Sequence, residues 1–301
     1  MDKNQSKKVA FLTGATGFIG SNLARRLVNE GWDIHLLVRE NASIKALSGI
    51  EGMFKTHRAI NNAEQLAEIL LKVRPHYVFH LASLFLSQHR PDQINELIQS
   101  NINFPTVLLE AMRLAGVKSL INTGTSWQHY ENSEYNPVNL YAATKQAFDT
   151  IIKYYVEAHQ FNVCTLKLFD TYGPNDPRPK LISLLYKCAK EGVGIEMSPG
   201  EQIVDLVYID DVVEAYCVAV EVLEKQVKGH KTYGVTSKRP MTLREIVQIF
   251  EEITKMPLNV VWGGRPYRER EVMRLWDTFE TLPFWAPKIP FEIGIEKSTK
   301  N

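Results

Sequence analysis

Tyr141 and Lys145 stand four residues apart in NLYAATKQAFD (139–149). On a helix that separation puts two side chains on one face, one turn apart. A phenol titrates near pH ~10 and exchanges protons poorly at neutrality. A lysine one turn away favours the phenolate, lowers that value, and can also hold a ribose hydroxyl. A hydroxyl at the end of a neighbouring strand would complete a polar grip on a carbonyl oxygen, and INTGTSW (121–127) offers Thr123, Thr125 and Ser126. A Tyr-x-x-x-Lys pair alone is a common accident of a helix surface. Its meaning depends on what other elements bring beside it.

Upstream, FLTGATGFIGSNLARRL (11–27) sets Gly14, Gly17 and Gly20 between an apolar run and a helical pattern. Glycines there permit a tight turn and close approach of the backbone to a pyrophosphate, while the helix start offers free N–H groups. A second strand pattern about 20 residues on supplies the context of a dinucleotide cradle. That strand ends in LLVREN, with Val38 where an NAD site usually carries Asp or Glu, followed by Arg39. A carboxylate repels a 2′-phosphate and a guanidinium pairs with it, so NADP(H) is expected in preference to NAD(H).

These residues need a sheet to hold them. Short β-rich runs at 7–13, 33–39, 76–82, 118–124 and 162–169 alternate with helical spacing at 22–31 and 63–73, and 52–56 is a weaker strand pattern. Such alternation predicts a doubly wound α/β fold with a parallel sheet, Rossmann-like once the cradle is included. After residue 170 the punctuation changes. DTYGPNDPRPK (170–180) reads as a loop, helices are expected at about 180–191, 210–225 and 241–254, and WGGRPYRERE (262–271) reads as an arginine-rich loop. The division expected is a dinucleotide-binding domain over 1–174, also taking in about 203–236, and a smaller irregular substrate lobe over 175–301. EKSTKN (296–301) reads as a frayed tail.

Composition excludes several classes. Of 301 residues, 45% are hydrophobic and 23% charged, and 35 Lys plus Arg against 34 Asp plus Glu leave a formal charge of +1. No field of one sign is available to gather nucleic acid or an anionic membrane. Cys164, Cys188 and Cys217 form no CxxC pair, which argues against a disulfide framework or a zinc site, and no metal is expected. No signal-peptide core or membrane-length apolar run is visible, so a cytoplasmic protein is the expectation.

The chain resembles the extended short-chain dehydrogenase/reductase family, in its nucleotide-sugar epimerase, dehydratase and reductase branch. The resemblance runs over nearly the whole chain and rests on TGATGFIG, HLAS (80–83), NINFPTVLLEA (101–111), YAATK (141–145), TYGP (171–174) and DLVYIDDVVEAY (205–216). It implies cofactor contacts at Gly14, Thr16, Gly17, Phe18, Ile19, Gly20, Arg39, Leu81, Ala82, Ser83, Asn101, Tyr141 and Lys145. It implies catalysis by Tyr141 and Lys145 with a Ser/Thr partner on the preceding strand. Matching by position, with Trp127 where an aromatic usually follows, selects Thr123 and leaves Thr125 as an alternative or a substrate contact. It also implies a nucleotide-sugar substrate between the lobes and a homodimer through long helices at about 92–115 and 140–158.

Departures from the family pattern narrow the activity. Dehydratases of this branch carry an Asp-Glu pair after the threonine, where this chain has Gly124 and Thr125. Val204 replaces a frequent arginine, so a diphosphate contact is expected instead from Arg268 and Arg270, since guanidinium matches phosphate geometry. Asp170 either touches the hexose or caps its own loop. The leading expectation is an NADPH-dependent reductase of a nucleotide-linked 4-keto-deoxyhexose. The alternatives are an NAD-dependent nucleotide-sugar epimerase and a non-catalytic NADP-binding protein.

Overall fold

A computed structural model describes residues 7–225 and 228–299. Val9–Thr13 forms β1, and its Ala10, Phe11 and Leu12 are all fully buried, as expected of a strand covered on both faces. β2 (Asp33–Val38), β3 (Phe54–Arg58), β4 (Tyr77–His80), β5 (Ser119–Thr125) and β6 (Asn162–Leu168) follow in the same direction. The weak pattern at 52–56 became β3, shifted two residues onward. It lies at the sheet edge, where one side needs no apolar partner, and its residues are mostly exposed.

Between the strands run α1 (Phe18–Asn29), α2 (Ala63–Val73), the short α3 (Ile94–Ile98), α4 (Phe104–Leu114) and α5 (Leu140–His159). α1 begins four residues before the expected 22, because the glycine turn itself opens the helix. The single helix expected over 92–115 is broken: a 3₁₀ turn at Pro91–Gln93, α3, a π turn at Gln99–Asn103, then α4. Pro105, in the first turn of α4, has no N–H to give the preceding turn, and the ladder widens just before it.

The later chain adds β7 (Asp170–Tyr172), α6 (Leu181–Glu191), β8 (Ile195–Met197), β9 (Ile203–Val204), β10 (Leu206–Tyr208) and α7 (Ile209–Lys225). It ends with β11 (Gly229–Val235), β12 (Met241–Thr242), α8 (Leu243–Thr254), β13 (Val260–Trp262) and α9 (Phe291–Thr299). Two expectations fail here. Asp170–Tyr172 is not loop but pairs in parallel with β10, and Glu296–Thr299 closes a helix rather than fraying; residues 300 and 301 lie outside the described chain. α8 starts at Leu243 because Thr242 and Glu245 form a reciprocal capping box.

The main sheet has seven strands in the order β11-β6-β5-β4-β1-β2-β3, every pair parallel. Strand order reverses at β1 and β4, the place where a crevice opens at the strand ends. One apolar cluster joins α2, α4 and α5 to one sheet face through residues such as Leu70, Leu109 and Phe148. The other runs from α1 and α7 into the C-terminal elements, with Tyr172, Phe250 and Trp285 in the same cluster as Leu23 and Leu36. The C-terminal elements therefore share their core with the sheet and are anchored to it.

Asp211 makes part of that anchor. Its carboxylate accepts from the backbone N–H groups of Lys288 (3.0 Å) and Ile289 (2.9 Å), while its carbonyl accepts from Trp285 Nε1. Hydrogen bonds to a charged group are worth about 1.5–3 kcal/mol each. Asp211→Ala loses two of them and should thus destabilise the protein by about 3–6 kcal/mol in urea denaturation, and an unchanged midpoint would contradict this role. Among the described residues no helix is long and apolar enough to cross a membrane.

Candidate active site

The glycine turn has the tightness that its sequence requires. Gly14 has φ +76°, and a Cβ there would lie 2.5 Å from the Ala82 nitrogen. At Gly20 a Cβ would lie 2.2 Å from the Gly14 carbonyl oxygen. The first turn of α1 is thereby drawn against the end of β1, with its leading N–H groups turned toward the crevice.

Three cavities run along the sheet's C-terminal edge. The first, about 500 Å³, is lined by Gly14, Thr16, Gly17, Val38, Arg39, Leu81, Ala82 and Ser83 together with Gln99, Ser100 and Phe104. A second of about 500 Å³ shares Gly14, Gly17, Leu81 and Ser83 with it and adds Phe18, Ile19, Gly20, Thr123, Thr125, Ser126, Tyr141 and Lys145. The third, about 290 Å³, shares Phe85, Ser126, Trp127, Asp170 and Lys180 with the second and reaches Gln202, Asp205, Arg268 and Glu271. A cradle too tight for a Cβ, opening on two connected cavities, fits an elongated dinucleotide. The third leaves room for a second ligand end to end with it.

Tyr141 reaches the central cavity because Asn139 caps α5. Its Oδ1 accepts from Ala142 N at 2.9 Å and its Nδ2 donates to Ser87 O at 2.9 Å, fixing the helix start against the 86–87 backbone. The Tyr141 ring packs edge-on against Phe85 at 5.0 Å. Burial pushes the phenol up to about 12; Ser83 and the Arg178 guanidinium oppose the rise and Asp170 adds to it. Lys145, 4% exposed, is pulled down to about 8 by burial, with Asp149 opposing. The expectation that Lys145 lowers the phenol's pKa is not met in the free protein. Burial dominates both groups, and the groups that draw the phenol back are Ser83 and Arg178.

The two threonines differ in what is left to give. The Thr123 hydroxyl donates to the His80 carbonyl oxygen at 2.8 Å, so at 2.6 Å it accepts from the buried Tyr216 hydroxyl. Its only proton is committed. Thr125 Oγ1 accepts from Trp127 N at 3.3 Å, which leaves its own proton for a ligand. Both side chains line the central cavity.

Elsewhere the placement separates ligand-facing residues from structural ones. Asn101, expected to touch cofactor, lines none of the three cavities. It accepts from Ser83 Oγ (3.1 Å) and Leu84 N (2.8 Å) and donates to Leu84 O (2.9 Å) and Thr144 Oγ1 (3.1 Å), which exhausts its amide. It holds the 83–84 turn to α5 instead. Arg270 also lines none of them: its guanidinium bonds Asn136 Oδ1 and lies 4.2 Å over the Tyr130 ring, tying the late loop to residues 130–136. Arg268 does line the third cavity, held by Glu271 through Nε (3.1 Å) and Nη2 (2.6 Å). Asp170 does not cap its loop by itself; its Oδ1 accepts from Lys180 Nζ at 3.2 Å. Arg39 is exposed at the end of β2 and lines the first cavity.

Sequence reasoning did not single out Lys180, Arg178, Phe85 or Gln128. Lys180 Nζ sits 4.0 Å over the Phe85 ring and 5.8 Å from Trp127, at the junction of two cavities. Arg178 donates to Thr171 O and Oγ1 and to Asp176, and covers the Phe18 ring at 4.7 Å. The basic residues of the PRPK stretch were the available signal. Phe85 had none, standing just beyond HLAS in an apolar run.

The family model for the NAD dependent epimerase/dehydratase family matches residues 10–235. CDP-abequose synthase of Salmonella muenchen is 29% identical over 97% of each chain, and that of Yersinia pseudotuberculosis 28% identical over 87% of this chain and 89% of its own. Among solved structures, UDP-glucose 4-epimerase of Thermotoga maritima superposes with a TM-score of 0.83 at 22% identity over 97% of each chain. UDP-glucuronic acid 4-epimerase of Bacillus cereus superposes with a TM-score of 0.84 at 21% identity, over 97% of this chain and 98% of its own. The structural likenesses concern the fold. With the glycine cradle, the Tyr141–Lys145 helix and a model match over most of the sequence, the chain belongs to the NAD dependent epimerase/dehydratase family.

Proposed function

We propose that this protein is an NADPH-dependent reductase of a nucleotide-linked 4-keto-deoxyhexose. The observation that carries this reading is the make-up of the central cavity: a phenol kept protonated by burial, a threonine hydroxyl with an uncommitted proton, and no carboxylate at Gly124 or Thr125. A protonated phenol is the form that reduction of a ketone requires, because the alkoxide formed must receive a proton. The two similar CDP-abequose synthases, matched over most of their length, support the same substrate class.

When bound, a reduced nicotinamide supplies the hydride. Tyr141 donates its proton to the oxygen of the sugar carbonyl, and Thr125 hydrogen-bonds that oxygen as charge develops on it. Thr123, strapped to His80 and Tyr216, holds the strand end that presents Thr125. Lys145 holds a ribose hydroxyl. Arg268 and Lys180, held by Glu271 and Asp170, are the cations that the third cavity offers to a diphosphate. An aromatic surface of Phe85 and Trp127, 5.6 Å apart, suits a sugar face poor in hydroxyls.

The test is NADPH consumption against CDP-, dTDP-, GDP- and UDP-linked 4-keto sugars. Turnover with at least one is expected. Freshly purified protein that retains NAD in an acid extract and interconverts sugar epimers would overturn the reductase in favour of an epimerase, the activity named for the structural neighbours.

Preference for NADP(H) rests on Arg39 at the end of β2, with Val38 standing where an NAD site usually carries an acid. Arg58, paired in register with Val38 and bonded to the Glu40 carbonyl, adds a second guanidinium at that edge. Arg39→Ala should raise KM for NADPH about tenfold or more while leaving NADH nearly unchanged, the worth of one charge-assisted contact. Equal effects on both cofactors would contradict the assignment. A homodimer through α4 and α5 is supported by exposed Leu114 and Tyr154 on those helices. A neutral charge balance supports a cytoplasmic protein that engages neither nucleic acid nor membrane.

A further inference from the structure

Behind Thr125 and Lys145 lies a buried polar cluster that the reaction above does not use. Gln128, fully buried, spans from β5 to α5. Its Oε1 accepts from the Thr125 backbone N–H at 3.1 Å, and its Nε2 donates to Asp149 Oδ2 at 2.8 Å and to Gln146 Oε1 at 2.7 Å. Asp149 is 9% exposed and stands one turn beyond Lys145 on the same face of α5. Asn122 Nδ2 reaches its Oδ1 at 3.4 Å, and Lys167 Nζ lies 3.5 Å from its Oδ2.

The charges around this pair are few. Lys167 meets His129 Nε2 at 2.8 Å, and burial holds that imidazole neutral, down to about 4. His230, reached through Thr165, is also lowered by burial. On the other side of Lys145, burial and the lysine itself push His80 down to about 3, and its Nδ1 pairs with Thr13 Oγ1 at 2.8 Å. Tyr141, protonated, shares the cavity. Asp149 is thus the charge that opposes burial at Lys145. A buried ionic cluster adds little stability over an apolar filling, so its effect is to be sought in the side chains it touches.

We propose that Gln128 and Asp149 are positioning residues of this site: the Gln128 amide locks the Thr125 end of β5 to α5, and the Asp149 carboxylate is the counter-ion that keeps the buried Lys145 ammonium charged. The inference rests on the proposed reductase only for what Lys145 then does; the charge balance belongs to the free protein. Without the carboxylate, burial acts alone on an ammonium already drawn to about 8, and the charge is lost within the neutral range.

The Lys145 titration can be followed directly by carbon–proton NMR of lysine-labelled protein, assigned with Lys145→Met. Asp149→Asn alone also strips Lys167 of its counter-charge, so the informative protein is Asp149→Asn combined with Lys167→Met, with Lys167→Met as reference. The Lys145 midpoint should fall by about one pH unit or more relative to that reference. At pH 7.5 or thereabouts the NADPH dissociation constant should rise about threefold or more, because a midpoint moved from about 8 to about 7 leaves about a third as much of the charged lysine at that pH. Asp149→Glu should restore both. Gln128→Leu should lower kcat with little change in KM for NADPH. A midpoint unmoved in the double variant would overturn the counter-ion role, and an unmoved kcat in Gln128→Leu would overturn the lock. A shifted midpoint in a protein that consumes no NADPH would leave this inference standing and remove the reductase.

Discussion

Tyr141→Phe is expected to lower turnover of a 4-keto sugar nucleotide by about 10²- to 10⁴-fold, the range for loss of one general acid. The NADPH dissociation constant should stay within about threefold, under half of the 1.4 kcal/mol that a tenfold change represents. The substitution is conservative in packing: phenylalanine keeps the edge-on contact with Phe85 and removes only the hydroxyl. In the wild type, the phenol at about 12 stays protonated across neutrality, whereas Lys145 loses its charge above about 8. The sign follows from the group: lysine is charged below its pKa, so the rate should hold below that value and decline as pH rises through it. Full activity in Tyr141→Phe would refute the chemistry. A rate that climbs steadily to pH ~10, where an ordinary phenol ionises, would refute the electrostatics.

Gly20→Ala should damage the cradle although alanine is the better helix former. Within a helix the exchange ordinarily gains about 1 kcal/mol. Here the new Cβ would lie 2.2 Å from the Gly14 carbonyl oxygen and 2.8 Å from Ala15 Cα, both backbone atoms that cannot turn aside as a flexible side chain would. Overpacking of this kind costs about 1–3 kcal/mol. Cofactor affinity should therefore fall about 10- to 100-fold and the melting temperature should drop, read by NADPH fluorescence titration and circular dichroism. Gly49 offers the contrast: a Cβ there meets nothing within 4 Å, although its φ of +88° penalises a side chain on backbone grounds. Gly49→Ala should leave cofactor affinity unchanged. Tight cofactor binding by Gly20→Ala would mean that the turn can open without loss.

What was legible in the chain was whatever depends on residues close together in sequence. The cradle, the Tyr141–Lys145 face and five of the central strands are set by periodicities of two and 3.6 residues and by glycine's tolerance of positive φ. Recognition of the family added the order of the remaining motifs. Even the edge strand β3 was visible, two residues out of place, because an edge is only weakly patterned. The break in the helix at 91–104 was less legible, since one proline inside a good helical pattern can bend, widen or end it.

Only the tertiary structure decided which hydroxyl is free. Thr123 and Thr125 have the same chemistry two residues apart on one strand face, and no local rule separates them. The difference comes from Tyr216 on α7 and the His80 carbonyl, residues 93 and 43 positions away, which consume the Thr123 proton. Long-range packing likewise made Asn101 and Arg270 ties between elements, brought Lys180 and Phe85 into the site, and set Gln128 behind it. Sequence spacing tells which groups can share a helix or a strand. Whether a given proton or lone pair remains available is settled by the partners that the folded chain delivers, because a buried polar group takes whichever partner lies within about 3 Å.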